Sequence, residues 1–372
     1  MTVKARGLEG LIVGDTAIST VGKEGVDLTY RGYNIHDLTA QATFEEVAYL
    51  LVYGELPTTS QLKIYRDKLI KLRHLPNELK QTLEAVPGSA HPMEVMRTGI
   101  SMLGTLESES SQYKDHAIAD RLIACTPSML LYWYQFHRNN NRIETFSEES
   151  TVAGYFLHLL HGKKPTEEMR RCLDVSLILY AEHEFNASTF AARVTASTES
   201  DFYSCIVSAV GTLRGALHGG ANEEAMRLVS SFKTPEQAEI GVKEMLTKKI
   251  KIMGFGHRVY KKSDPRSDII KTWSQKLSAQ ARDGYLYAVS ERIEKIMQDE
   301  KKLYPNLDFY SATTYHFCGI PTFLFTPVFV ISRLSGWSAH VFEQRANNRL
   351  IRPEANYIGP LPRSFPSLQE RE

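Results

Sequence analysis

The segment AIADRLIACTPSMLLYWYQFHR, residues 117–138, has the pattern of a long, buried α-helix. Apolar side chains occupy most of its positions, and the aromatic run LLYWYQF at 130–136 is more typical of core packing than of a cofactor site. Pro127 predicts a kink, because proline removes one backbone hydrogen bond and crowds the preceding turn. The segment therefore favours a mainly helical fold.

Helical patterns continue on both sides of this segment. Upstream, Thr43 and Glu46 form a predicted capping box before an apolar run that Gly54 closes. Pro92 is expected at the first position of another helix. Residues 11–33 differ, because β-branched residues separated by glycines predict a small hairpin or extended arm. Downstream, the predicted helices cover residues 166–184, 200–217, 222–231, 235–249, 266–281, 284–302 and 321–346. We therefore expect an all-α fold with a short N-terminal β arm.

The composition indicates a folded protein of two domains without a strongly charged partner. The 372 residues exceed what one hydrophobic core usually serves, and 42% of them are hydrophobic. The formal net charge of +1 gives no reason to expect a nucleic-acid or membrane partner. Four scattered cysteines without a CxxC pair, and an amino terminus without an apolar signal segment, favour reduced thiols and a cytoplasmic location.

Three short segments carry the candidate chemistry. The sequence lacks the motifs of phosphate-binding loops, dinucleotide-binding turns, nucleophile elbows and HExxH metal sites. What remains is LHGGAN at 217–222, GFGHRVYKKSDPR at 254–266 and PNLDFY at 305–310. Each segment places an ionisable side chain beside glycines or beside a predicted helix start.

Each segment suggests a chemical role. His218 precedes a helix that Asn222 is expected to cap, and the positive end of that helix would favour a neutral imidazole. His257 follows Gly254 and Gly256 on a predicted loop that a ligand can approach. Asp308 lies among Leu, Phe and Tyr, and partial desolvation would raise its pKa and make it a better base. Taken singly, each of these residues could instead be an ordinary loop or capping residue. Arg266, at the end of the second segment, could be a solvated side chain.

Together, in this order and spacing, the three segments resemble the active-site segments of the citrate synthase family. The similarity spans nearly the whole chain, since TAISTVGKEGVDLTYRGYNI and FEEVAYLLVYGELP resemble the short bacterial form of the family. The segments HPMEVMRTG, LLYWYQF, AEHEFNASTF and VFEQRANNRLIRPEANYIGP are most similar to its 2-methylcitrate synthase branch. The resemblance implies a large domain at residues 1–220 and 320–372 and a small domain at residues 221–319 that closes over substrate. The Gly219-Gly220 pair is a candidate hinge.

The resemblance also implies roles for individual residues. His218 would hydrogen-bond the thioester oxygen, Asp308 would remove the α-proton, and His257 would hold the ketone oxygen of oxaloacetate. Residues that match the family's oxaloacetate-binding positions are His183, Arg266, Arg333 and Arg352. The last of these is expected from the partner chain of a homodimer. Residues that match the loop whose backbone contacts CoA are Lys251, Ile252, Met253, Gly254 and Phe255.

The implied reaction joins propionyl-CoA to oxaloacetate, with citrate synthase side activity on acetyl-CoA. No metal or cofactor is implied, because the CoA thioester is itself a substrate. A citrate synthase that uses acetyl-CoA is the nearest alternative. A non-catalytic helical binding protein is a remote one, and the chemically competent residues at all three catalytic positions argue against it.

Overall fold

The computed structural model describes residues 6–8, 10–23, 26–257, 259–260 and 263–371. Within these ranges the chain forms 16 α-helices and a three-stranded sheet near the amino terminus. Strands β1 (Ser19–Lys23), β2 (Val26–Tyr30) and β3 (Tyr33–Asn34) are antiparallel and lie in the order β1-β2-β3. The prediction of an all-α fold with a short β arm is confirmed.

The helices follow the sheet without further strands in the described ranges. In chain order they are α1 Ile35–Gln41, α2 Phe44–Tyr53, α3 Thr59–Lys71, α4 Asn77–Ala85, α5 Pro92–Leu106, α6 His116–Asn139, α7 Val152–His161, α8 Glu167–Tyr180, α9 Ala187–Ser197, α10 Phe202–Leu213, α11 Ala221–Ser230, α12 Pro235–Thr247, α13 Pro265–Ser278, α14 Tyr285–Lys301, α15 Leu307–Phe317 and α16 Phe325–Ala346.

Several predicted helix ends are confirmed in detail. The backbone N–H of Thr43 donates to the Glu46 carboxylate at 2.8 Å, and Gly54 ends α2 with a φ of 95°. Pro92 is the first residue of α5. Pro127 lies inside α6, which is assigned as one helix from His116 to Asn139, and the predicted kink there stays a prediction.

Two predictions around residues 214–222 are wrong. The helix expected to reach residue 217 ends at Leu213, because the chain turns back there and the N–H of Gly219 donates to the carbonyl of Leu213 at 3.0 Å. Asn222 does not cap α11. Gly220 occupies the cap position, and Asn222 is the second helical residue, with its side chain fully buried.

The helices pack as two groups, which meet where α13 and α15 contact α8 and where α11 contacts α16. Helices α11 to α15 pack mainly on one another, with α13 and α11 against α15 and α12 against α14. A second group surrounds α16, which contacts α2, α6, α8, α9 and α10. Gly336 in α16 permits a close approach to the end of α8, because a Cβ there would lie 2.3 Å from the Ala181 carbonyl oxygen. The junction between the groups holds most of the predicted site residues.

All four cysteines, Cys125, Cys172, Cys205 and Cys318, are buried and unpaired. Among the helices in the described part of the chain, none combines the length and hydropathy that crossing a membrane requires.

Candidate active site

Several elements carry predicted residues to the junction between the two helix groups, among them the start of α13 with Arg266. The turn after α8 carries His183, the turn before α11 carries His218, and the loop before α13 carries His257. Asp308 is the second residue of α15. Arg333 lies in the middle of α16 and is 1% exposed.

The ring of Phe329 connects the parts of the site. Its centre lies 6.3 Å from the His218 ring and 4.5 Å from the Tyr180 ring. The Arg333 guanidinium lies over the same ring, with Cζ 4.6 Å from its centre. Since Tyr180 bonds Asp308, one set of contacts joins the carboxylate to a histidine and an arginine.

His218 is a neutral imidazole in a defined tautomer. The backbone N–H of Ser188 donates to its Nε2 at 3.3 Å, and the Ser188 hydroxyl lies 2.8 Å from the same nitrogen. Because a backbone N–H can only donate, Nε2 is the acceptor and the ring proton lies on Nδ1. Burial, together with the charge of Arg333, lowers the pKa of His218 to about 4. The ring therefore offers one neutral N–H donor.

Ser188 is a site residue that the sequence patterns did not single out, although it lies in the AEHEFNASTF segment. It is fully buried, and the indole N–H of Trp337 donates to its hydroxyl oxygen at 3.2 Å. The hydroxyl also lies 2.8 Å from Oδ1 of Asn186, the residue that caps α9. These contacts hold Ser188 in place, and Ser188 in turn orients the His218 ring.

Asp308 has the environment of a base. Burial raises its pKa to about 6, against the opposing hydrogen bond that the Tyr180 hydroxyl donates to Oδ1 at 2.7 Å. The cap of α15 is Asn306, whose Oδ1 accepts the N–H of Asp308 at 3.1 Å. The Asp308 side chain is therefore not needed as a cap, which removes its ordinary alternative.

His257 presents the opposite ring nitrogen. Its Nδ1 accepts the backbone N–H groups of Val259 at 3.1 Å and Tyr260 at 3.2 Å, so a neutral ring carries its proton on Nε2. The His183 ring lies 5.1 Å from the His257 ring, and its Nε2 is 3.2 Å from the Tyr260 hydroxyl. Burial lowers the pKa of His183 well below its usual value, and the charge of Arg266 adds to this.

Arg266 is 6% exposed, so the alternative of a solvated side chain is wrong. Its Nε and Nη2 donate to the two oxygens of Asp264 at 2.9 Å each, which leaves Nη1 outside this fork. Asp264 also accepts the N–H of Leu307 at 3.0 Å. Although burial opposes it, the charge of Arg266 holds the pKa of Asp264 below its usual value. The pair thus ties the start of α13 to the start of α15.

Arg333 has spare binding capacity. Its Nε donates to the carbonyl oxygen of Tyr180 at 2.5 Å, whereas its buried Nη1 has no hydrogen-bond partner. Burial lowers the pKa of Arg333 to about 10, which still leaves it charged at neutral pH. A buried cationic donor without a partner is costly, and a bound carboxylate would satisfy it.

The predicted CoA loop, residues 251–255, is held by its neighbours. The N–H of Asn306 donates to the Gly254 carbonyl at 2.9 Å, and the N–H of Gly256 donates to the Tyr304 carbonyl at 2.8 Å. Gly254 has a φ of +87°, and a Cβ there would lie 2.9 Å from Cβ of Phe309. Only glycine suits both conditions, so the loop runs directly beside the start of α15.

Arg352 is solvent-exposed, unlike the buried His183, Arg266 and Arg333. It lies on the irregular segment after α16. Exposed apolar side chains accompany it on this segment, namely Leu350, Tyr357, Ile358, Leu361, Phe365 and Leu368.

Comparison with known proteins gives consistent matches over the full chain. A family model described as the citrate synthase C-terminal domain matches residues 7–354. A 2-methylcitrate synthase of Shewanella oneidensis is 56% identical over 365 residues, covering 98% of this chain and 97% of that protein. Citrate synthase 2 of Bacillus subtilis is 43% identical over 370 residues, covering 98% and 99%.

A solved structure agrees in fold. The citrate synthase of Thermoplasma acidophilum, solved as a ternary complex with carboxymethyl coenzyme A and oxaloacetate, superposes with a TM-score of 0.92. Its sequence is 32% identical, and the match covers 98% of this chain and 99% of that chain.

Proposed function

This chain belongs to the citrate synthase family, and we propose that it condenses propionyl-CoA with oxaloacetate and water to give 2-methylcitrate and CoA. As a member of the family it is a condensing acyltransferase. The observation that carries the proposal is the position of Asp308, a carboxylate with a raised pKa in contact with Tyr180. A neutral histidine donor and an arginine with an unpaired nitrogen belong to the same set of contacts.

In the first step, Asp308 removes a proton from the α-carbon of the thioester. The Nδ1–H of His218 donates to the thioester oxygen, where negative charge develops. A neutral donor suits this oxygen because it stabilises the developing charge without requiring a change in its own protonation. The low pKa of His218 and the raised pKa of Asp308 support this division of roles.

In the second step, the α-carbon forms a bond to the ketone carbon of oxaloacetate. The Nε2–H of His257 gives its proton to the ketone oxygen, which becomes a tertiary hydroxyl. Water then adds to the thioester carbonyl and returns a proton to Nε2 of His257, and the carbon–sulfur bond breaks. The thiolate takes the proton held by Asp308 and leaves as the CoA thiol, so both side chains regain their starting protonation. These steps use protein side chains, water and the two substrates, so the CoA thioester acts as a substrate and free CoA is a product.

Oxaloacetate is a dianion, and the site supplies cations for it. Arg333 offers its unpaired Nη1, and Arg266 offers Nη1 outside the fork with Asp264. His183 completes the contacts on this side. We assign Arg352 to the same dianion in the second subunit of a homodimer, which its exposure on the segment after α16 supports.

We propose that residues 221–319 form a small domain and that residues 1–220 with 320–372 form a large one. The packing of α11 to α15 mainly on one another supports this division. The oxaloacetate contacts then come from both sides, since His257 and Arg266 lie in the small domain and His183 and Arg333 in the large one. The loop at 251–255 would contact CoA through its backbone.

We also propose a cytoplasmic location. Its support is the four buried and unpaired cysteines, because thiols stay reduced in that compartment.

The 43% identical citrate synthase 2 of Bacillus subtilis favours a second candidate function, with acetyl-CoA as the preferred thioester. Release of the CoA thiol with each thioester, at saturating oxaloacetate, separates the two candidates. We expect a higher kcat/KM for propionyl-CoA with measurable turnover of acetyl-CoA, since one methylene is worth about 10–200-fold. Equal or higher efficiency with acetyl-CoA would support the citrate synthase. Release with neither thioester would leave a binding protein.

A further inference from the structure

Tyr180 makes two contacts with the proposed machinery. It is the last residue of α8 and is 2% exposed. Its hydroxyl donates to Oδ1 of Asp308 at 2.7 Å, and its own carbonyl oxygen accepts from Nε of Arg333 at 2.5 Å. The side chain therefore holds the base, while the backbone of the same residue holds an oxaloacetate-binding arginine.

The phenol ring has little freedom to move. It packs against the Phe329 ring at 4.5 Å between centres and against the Tyr315 ring at 6.4 Å. Burial raises the pKa of Tyr180 well above its usual value, so the phenol keeps its proton and can donate a hydrogen bond to Asp308.

The hydrogen bond crosses between the two helix groups. Tyr180 belongs to α8, which packs against α7, α16, α2 and α1 in one group and also meets α13 and α15 of the other. Asp308 belongs to α15, which packs chiefly against α13 and α11. Separation of the groups would stretch this bond, and their approach would restore it.

We propose that Tyr180 is a positioning residue that holds Oδ1 of Asp308 and so directs Oδ2 toward the α-proton when the two helix groups are together. The inference rests on the proposed role of Asp308 as the base. The proton on Tyr180 stays on the phenol throughout, and only Asp308 gains and loses a proton. The base is thus oriented by the closed arrangement rather than by α15 alone.

Tyr180→Phe removes the donor and keeps the ring. A hydrogen bond to the carboxylate favours its charged form, so its loss should raise the pKa of Asp308. We expect the acid limb of kcat, near pH 6 in the wild type, to move up by about one pH unit. At pH 7, kcat should fall about 10–100-fold through this shift and the lost orientation. KM for oxaloacetate should change little, because the backbone contact to Arg333 remains.

Tyr315→Phe is the matched control. This buried tyrosine lies in the same core, and its hydroxyl is bonded to the Ser176 hydroxyl at 2.8 Å rather than to Asp308. It should keep the wild-type pH profile, whatever stability it loses. If Tyr180→Phe does not fold, 3-fluorotyrosine at position 180 provides a second test, because a more acidic phenol is a stronger donor. It should move the acid limb to lower pH.

The outcomes separate this inference from the proposed function. Asp308→Asn should lose about 10²–10⁴ in kcat, and a variant that keeps its turnover would overturn the role of Asp308 and the inference with it. If Asp308→Asn is inactive while Tyr180→Phe keeps the wild-type rate and acid limb, the proposed function stands and the role of Tyr180 is wrong. An equal loss in Tyr180→Phe and Tyr315→Phe without any pH shift would also overturn it.

Discussion

At the scale of one residue, the burial that makes Asp308 a better base also lowers the stability of the folded chain at neutral pH. Its pKa is raised to about 6 in the folded chain, whereas the unfolded chain restores a value of about 4. Between those values the folded state holds a proton that the unfolded state has lost, so stability falls as pH rises through this window. Above pH 6 the whole cost persists.

Asp308→Asn should therefore raise the free energy of unfolding at pH 8 by roughly 1–3 kcal/mol, because a neutral amide avoids burying the charge. Thermal or denaturant unfolding at pH 8 and pH 5 measures this, and the gain should shrink at pH 5. Asp264→Asn is the contrasting variant. The Asp264 carboxylate pairs with Arg266, so the neutral amide should lower the free energy of unfolding. A less stable Asp308→Asn at pH 8 would contradict the argument.

Arg333→Ala should damage oxaloacetate use. The variant leaves one substrate carboxylate poorly paired in a buried site, at a cost of about 2–5 kcal/mol in kcat/KM. Steady-state kinetics with oxaloacetate as the varied substrate measures the loss. Arg142→Ala is the control, because the exposed pair of Arg142 with Glu84 contributes little. Similar kinetics in both variants would remove Arg333 from the site.

At the scale of an element, the turn between α10 and α11 determines where His218 lies. Gly219 packs so closely that a Cβ would lie 2.4 Å from the Leu213 carbonyl oxygen. Gly220 has no atom within 4 Å of an added Cβ, and its φ of −82° suits any residue. The adjacent glycines therefore have different requirements.

Gly219→Ala should displace this turn, lower stability by about 1–3 kcal/mol and reduce turnover through misplacement of His218. Gly220→Ala should stay close to the wild type in both respects. Unfolding curves and CoA release for the two variants provide the measurement. Loss of activity in Gly220→Ala alone would favour a hinge at that residue over a packing constraint at Gly219.

The sequence predicts elements better than it predicts contacts between them. The capping box at Thr43 and the proline start of α5 are local signals, and both are confirmed. The turn after Leu213 depends on a close packing contact that no periodicity reveals. Tyr180 lies in an apolar helical run without a distinguishing neighbour, and Ser188 gains its role only when His218 arrives from 30 positions away.

At the scale of the whole molecule, oxaloacetate should draw the two helix groups together. Its two carboxylates need cations from both sides of the cleft, so closure satisfies them at once. Small-angle scattering with and without oxaloacetate should show a more compact particle when it is bound. An Arg333→Ala protein should respond less at the same concentration. Identical profiles in the wild type would count against closure.

If Arg352 acts across a dimer, mixed subunits should recover activity. A heterodimer of Arg352→Ala and Asp308→Asn chains contains one intact site and one doubly altered site. Random assortment of equal amounts should then restore about one quarter of the wild-type sites. Thiol release before and after subunit exchange measures the recovery. No recovery in verified heterodimers would mean that each site is built within one chain.

The burial of all four cysteines has a practical consequence for such measurements. A thiol-reactive dye added to the assay would react with the thiol of released CoA and change its absorbance, while the buried cysteines of the folded chain would react slowly. Once the chain unfolds, the same dye would find four further thiols per chain. The same reagent would therefore report both turnover and unfolding. The signal from released CoA requires substrate, whereas the signal from exposed cysteines does not.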